Sequence, residues 1–283
     1  MNSEVKKYYK YRPLRQGADP HPFTASIFEK RELWFSAPKE FNDPFDCNLR
    51  LHVNDSTDEE WISYIDLMID QNPSMRPKLE ITKNGKLWKV NPSMTAGIGE
   101  GTQELNYHKS SVFCLSKKPD SIPMFSYYAD SHKGVAIEFS FSNLNVPCGV
   151  DYLSSVISRG GTRSGVVFND VVYPESYPEL NYHRLYDRPE LLQNIIFAKH
   201  HEWRHEQEYR IFRRAIPAST VNFEHGLLTG VVFGCKSTVE DVDLVKGWLA
   251  GWPAPVTLSK TSVSSTSFSL EIEEFDRMGG VSH

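Results

Sequence analysis

The chain has no apolar run near the ~18 residues that a membrane-crossing helix needs. Its opening residues, Met-Asn-Ser-Glu-Val-Lys-Lys-Tyr-Tyr, lack the apolar stretch of a secretory signal, so no signal peptide is expected. Cysteine is scarce: Cys47, Cys114, Cys148 and Cys235 are the four in 283 residues, and none forms C-x-x-C. They read as reduced, mostly buried thiols of a cytoplasmic protein. Positive charge is not in excess, because the formal net charge is −5. That argues against wholesale wrapping of a nucleic acid backbone, which needs the opposite sign. No G-x-x-x-x-G-K-[ST] loop and no G-x-S-x-G elbow occur, and Gly97-Ile-Gly-Glu-Gly101 does not spell G-x-G-x-x-G. Heptads, repeats and strong low-complexity segments are also missing.

Hydrophobic residues make up 40% and charged residues 24%, as in ordinary globular proteins. Strand patterns dominate. They are read at 6–12, 33–36, 111–116, 134–141, 166–173, 206–212 and 228–233, with two more after residue 250. Helices are expected at 24–31, at 57–71 with Thr57 as N-cap, at 189–203 along the stripe Leu192, Ile196, Lys199, Trp203, and at 238–249. Residues 41–46 and 121–130 read as turns. Scattered helices among strands predict an α+β fold with a mixed or antiparallel sheet. Residues 1–283 are taken as one unit, with a partly helical insertion at about 55–107.

Glu206 and Glu208 flank Gln207 in Trp-Arg-His-Glu-Gln-Glu-Tyr-Arg-Ile-Phe (203–212). Spacing of i, i+2 puts two carboxylates on one face of a strand, where each perturbs the other. Such a pair suits a developing positive charge or a metal. The alternative is a solvated edge-strand face. His201-Glu202-Trp203-Arg204-His205 spells H-E-x-x-H, the zinc-hydrolase pattern, with Glu202 as general base. Trp203 lies in the apolar stripe and His201 roughly 200° from it, so both histidines are expected to face solvent. Asp43 and Asp46 are candidates for an acidic cluster with the glutamates, Asn42 and Asp43 alternatively for turn caps. Met124–Gly134 carries Tyr127, Tyr128 and His132, a wall for a planar ligand or an aromatic core corner. Arg12 ends the first strand, where it can take a phosphate. Arg210, Arg213 and Arg214 are a candidate basic patch.

Four segments in order, Tyr9-Lys-Tyr-Arg-Pro13, Phe41-Asn-Asp-Pro-Phe45, Met124–Gly134 and Lys199-x-x-x-Trp203-x-x-Glu-x-Glu-Tyr-Arg210, resemble a large bacterial family labelled as a domain of unknown function. Its hallmarks are N-D-P-F, H-Y-A-x-x-H-x-G and E-x-E-x-R. Tyr127 stands here where the family's H-Y-A triplet begins with histidine. The same order also resembles ADP-ribosyltransferases of the arginine–serine–glutamate type, matched by Arg12, Ser116 and Glu206 with Glu208; the usual Ser-Thr-Ser run keeps only Ser116. That resemblance implies a split sheet with peripheral helices, NAD as substrate and no metal. It implies that Arg12 holds phosphate, Ser116 supports Glu208, Glu208 meets the ribose cation and Glu206 orients the acceptor. Tyr11, Asn42, Phe45, Tyr127, Tyr128 and His132 would complete the NAD site. It further implies a toxin of an anti-phage system that modifies RNA, DNA or protein, held in check by an antitoxin or chaperone. A zinc-dependent hydrolase and a non-catalytic binding module are the alternatives from other classes.

Overall fold

A computed structural model describes residues 4–48, 57–77, 101, 104–141, 165–178 and 196–279. The central element is an eight-stranded sheet. Its strands are β1 (Lys6–Arg12), β5 (Ser111–Ser116), β6 (Val135–Phe141), β7 (Gly165–Asp170), β8 (Glu208–Arg214), β10 (Leu228–Phe233), β11 (Val256–Val263) and β12 (Leu270–Met278). Across the sheet they run β12, β11, β10, β6, β1, β5, β8, β7. Every neighbouring pair is antiparallel except β10 and β11, so the sheet is mixed. A parallel neighbour needs a crossover. Here it contains α4 (Val239–Leu249), opened by a capping box in which Thr238 and Asp241 exchange side-chain and backbone bonds. The fold is α+β as expected, and among the described residues the sheet is continuous rather than split.

Short elements pack on the sheet's faces. A small ladder joins β2 (Arg15–Gln16) to β3 (Asp19–Pro20), and another joins β4 (Glu32–Phe35) to β9 (Ser219–Asn222). Three further α-helices are α1 (Pro22–Glu29), α2 (Asp58–Gln71) and α3 (Ile122–Tyr128). Thr57 and Glu60 form reciprocal side-chain to backbone bonds of 3.3 and 2.8 Å, so Thr57 caps α2 as its sequence indicates.

Alternation along the strands separates two faces. Tyr8, Phe113, Ile137, Phe139, Ile211 and Val231 belong to the larger apolar core. Tyr9, Tyr11 and Ala136 face the other side, packed with Met124 and Phe125 of α3. Ser116 pairs with Tyr9 and with Glu208, which places all three on that second face. The 41–47 turn, α3 and the 196–206 segment cover it.

Three sequence readings are corrected. Residues 121–130 hold the helix α3, not a turn alone; Ser121 caps it by accepting from the Met124 N–H. Strand β7 ends at Asp170, and Val172 instead bridges Ala198. The helix expected at 189–203 ends early in its described part: Ile196 and Phe197 are helical, Ala198 is in that bridge, and His201–Glu206 is a 3-10 helix. Residues 189–195, the Gly-rich 97–100 and Cys148 lie outside the described residues.

After α3 the chain turns through Asp130, Ser131 and His132, with φ of 46, 52 and 74°. Three successive non-glycine residues in the left-handed region need tight support. Gly134 supplies it, because a Cβ there would stand 2.3 Å from the Arg12 carbonyl oxygen. This explains the histidine–glycine spacing of the segment in terms of backbone contact.

Candidate active site

Glu206 is not on the strand. It ends the 3-10 helix, and Gln207 follows with φ 42°, so the chain kinks before β8 begins at Glu208. The two carboxylates still converge on one pocket, by way of the kink and not by strand alternation. This small cavity of about 160 Å³ is lined by Tyr9, Tyr11, Met124, Tyr128, Glu206 and Glu208, among others. It also takes in Asn42, Asp46, Cys114, Ser116 and Lys199. Such a volume suits one ring-sized group, because whole small-molecule sites run to about 300–1,000 Å³.

Arg210 organises the floor. It is fully buried, and it lies two residues from Glu208 on the same strand face. Its Nε and Nη2 donate to the Glu208 carboxylate at 2.8 and 2.7 Å. Nη1 and Nη2 donate to Asp46 at 2.7 and 3.0 Å, and Nη1 also donates to the Ile196 carbonyl. One guanidinium thus holds two carboxylates bidentately. Burial by itself would raise the Glu208 pKa, but the Arg210 charge and its hydrogen bonds prevail and hold it down at about 2. Burial likewise opposes the charge on Arg210, and Asp46 and Glu208 outweigh it, so its pKa is raised.

Lys199 is the second buried cation. Its Nζ lies 2.7 Å from Glu206, 3.4 Å from Asp46 and 4.0 Å from Glu208. It also sits 4.6 Å above the Trp203 ring. Burial lowers its pKa, but the three carboxylates raise it further. The other Glu206 oxygen accepts from the Tyr128 hydroxyl at 2.6 Å. Burial and then Glu206 raise the tyrosine pKa, so the phenol remains a donor. Five ionic groups therefore form one network, in which Glu208 is tied to Arg210 and Glu206 to Lys199 and Tyr128.

The predicted site residues divide. Tyr11, Asn42, Ser116, Tyr128, Glu206 and Glu208 line the pocket. Ser116 does not support the Glu208 carboxylate; its hydroxyl donates to the Glu206 carbonyl at 2.7 Å and so holds the kink. Arg12 pairs with Val135 and faces the Tyr8 side of the sheet, 6.0 Å over the Phe23 ring, away from the glutamates. Tyr127 is 72% exposed and approaches His205 rather than the pocket. His132 stacks on Phe125 and bonds Ser126 at 3.0 Å, so it braces the left-handed turn. Phe45 lines a different cavity. Asp43 does cap its turn, accepting from the Phe45 N–H at 2.9 Å.

The basic patch does not form. Arg210 is neutralised inside the network, Arg213 is buried 5.0 Å from the Phe35 ring, and Arg214 ends the strand opposite Gly165. His201 and His205 lie on the 3-10 helix, and no three His, Cys, Asp or Glu gather as a metal site among the described residues.

Sequence reasoning grouped Asp46 with the glutamates but missed Lys199 and Arg210 as the cations that hold them. Two signals were present. A lysine in an apolar stripe calls for a buried counter-charge, and Glu208 and Arg210 at i, i+2 share a strand face. Tyr173, whose hydroxyl accepts from the Glu208 N–H at 2.8 Å, had no local signal.

Residues 124–211 match the model of the family described as protein of unknown function (DUF2971). The matched span contains Tyr128, Lys199, Glu206, Glu208 and Arg210, most of the network just described. No curated protein and no solved structure matches the chain.

Proposed function

We propose that this pocket transfers ADP-ribose from NAD, with Glu206 as the central carboxylate. The observation that carries the reading is the setting of Glu206: buried, at the pocket wall, and clamped by Tyr128 and Lys199. NAD loses nicotinamide through an oxocarbenium-like transition state. A fixed carboxylate beside the developing cation stabilises it without moving at the moment of reaction. Tyr9, Tyr11, Met124 and Tyr128 line a cavity of a size that suits a planar ring. Glu208 takes the supporting role in this scheme, because the bidentate Arg210 pairing ties it to Asp46 through one buried guanidinium, whereas Glu206 is held by separate single bonds from Tyr128 and Lys199. The sequence resemblance instead gave the ribose cation to Glu208 and the acceptor to Glu206. Arg12 has no part in the scheme, because it faces the opposite side of the sheet.

The test uses radiolabelled NAD with the purified chain and a cell lysate. The expected result is label in macromolecules that is lost in Glu206→Gln while the circular dichroism spectrum is kept. Nuclease or protease treatment then reads the acceptor class. On the same reading, expression arrests growth unless Glu206 is replaced, and a neutralising partner relieves the arrest. Full transfer by Glu206→Gln would sink the proposal. One observation favours a second reading, a structural clamp: Arg210 and Lys199 meet their counter-charges within the protein. A clamp without chemistry would leave NAD intact in every arm.

A further inference from the structure

The central sheet has one narrow join. Strand β1 pairs with β6 along its whole length, and β5 pairs likewise with β8. Between β1 and β5, the described residues pair only at Tyr9 and Ser116. Both strands run on from that pair. In antiparallel order Lys10 would next face Leu115, and Tyr11 would face Cys114. Neither of these pairs forms, so the strands part there.

The glutamate pocket enters this gap. Tyr9, Lys10 and Tyr11 line it from β1, and Cys114, Leu115 and Ser116 line it from β5. Leu115 belongs to the large core on one face of the sheet, whereas Tyr9 and Tyr11 belong to the cluster on the other. A pocket that meets residues of both faces lies between the strands and not on top of them.

Two side chains span the gap in place of strand bonds. The Lys10 ammonium donates to the Cys114 carbonyl at 2.9 Å and lies 4.8 Å from the centre of the Phe113 ring. The Tyr11 hydroxyl donates to the Lys118 carbonyl at 2.7 Å and accepts from the Ser121 N–H at 3.2 Å, just past the end of β5. Beside the Tyr9–Ser116 pair, Tyr8 packs on Tyr209 of β8 with ring centres 4.2 Å apart, so apolar contact holds that end of the join.

We propose that the gap between β1 and β5 is the gate of the glutamate pocket, with Lys10 and Tyr11 as its latch. Segments that share few bonds open at the lowest cost. Here the strand ends part while the ladders on either side and the core beneath stay formed. Closed, the pocket of about 160 Å³ takes one ring-sized group; parted, it takes a larger ligand. A bond from a charged donor is strong enough to shift such an opening equilibrium about tenfold or more. The inference concerns access to the pocket and stands apart from the transfer reading.

The test uses Cys114, a half-buried free thiol at the pocket wall, as its reporter. The full chain is treated with methyl methanethiosulfonate, a small thiol reagent, or with fluorescein maleimide, which is too bulky for the closed pocket. Mass spectrometry maps the modified cysteines over time. Lys10→Met should raise the maleimide rate at Cys114 about tenfold or more and change the small reagent's rate much less. Tyr11→Phe should act in the same direction through the other half of the latch. Cys47, buried beside Arg210, should stay unmodified throughout and so exclude general unfolding. An unchanged maleimide rate in both variants, an equal rise for the two reagents, or modification of Cys47 in step with Cys114 would overturn the proposal. Because no arm contains NAD, a negative result leaves the reading of Glu206 untouched.

Discussion

Replacing Arg210 by Met should be among the most destabilising single changes in this fold. The guanidinium is fully buried and makes four bonds of 2.7–3.0 Å to Asp46 and Glu208. Its loss leaves those carboxylates buried with Lys199 as the nearby cation in the network, already 2.7 Å from Glu206. Breaking a buried pair from one side costs about 3–5 kcal/mol, a large part of a domain stability of roughly 5–15 kcal/mol. Met fills much of the space, so the loss is electrostatic more than steric. Urea unfolding followed by tryptophan fluorescence measures it, as a lower midpoint at similar slope. Adding Glu208→Gln and Asp46→Asn to Arg210→Met should recover about 2 kcal/mol or more, because the stranded charges go with the arginine. A loss below about 1 kcal/mol for the single variant, or a triple variant weaker than the single one, would refute the account of the network.

The pH dependence follows from the same groups. Glu208 is depressed to about 2, below an unfolded value of roughly 4.3, so its pairing contributes about 3 kcal/mol above that value and is lost as pH falls from there towards 2; acid unfolding monitored by fluorescence should shift to higher pH in Glu208→Gln. Lys199 is raised, so its contribution is complete below roughly pH 10.4 and is lost only in stronger base, which an alkaline unfolding curve checks. Gly134→Ala should cost about 3 kcal/mol or fail to fold, because the added methyl meets the Arg12 carbonyl at 2.3 Å and both atoms are fixed by backbone. Thr238→Ala should cost about 1 kcal/mol through loss of the α4 cap, read in the same urea assay.

The strands were legible because β1, β5 and β6 are short runs rich in aromatic and apolar residues, as strands with largely buried faces are. The cap at Thr57 was legible for a local reason: its bonds span three residues. The helix drawn through 189–203 does not continue past Phe197, because Val172 bridges Ala198 and thereby overrides local periodicity. The acidic pair was found for an incorrect reason. Alternation would put Glu206 and Glu208 on one strand face, whereas the left-handed Gln207 takes Glu206 off the strand and the Lys199 and Tyr128 bonds fix where it goes.

Glu206 and Glu208 as a pair, the α+β class and the segment carrying Tyr128 were determined by residue order and period alone, since these depend on near neighbours. Which distant groups each carboxylate pairs with was decided only by tertiary structure. Asp46 lies 164 positions before Arg210, and Tyr128 lies 78 before Glu206. Buried charges must be paired, but no local rule says which distant residue will do it. The sheet register and the kink at Gln207 make that choice, and with it they separate the glutamate tied to Arg210 from the one tied to Lys199 and Tyr128.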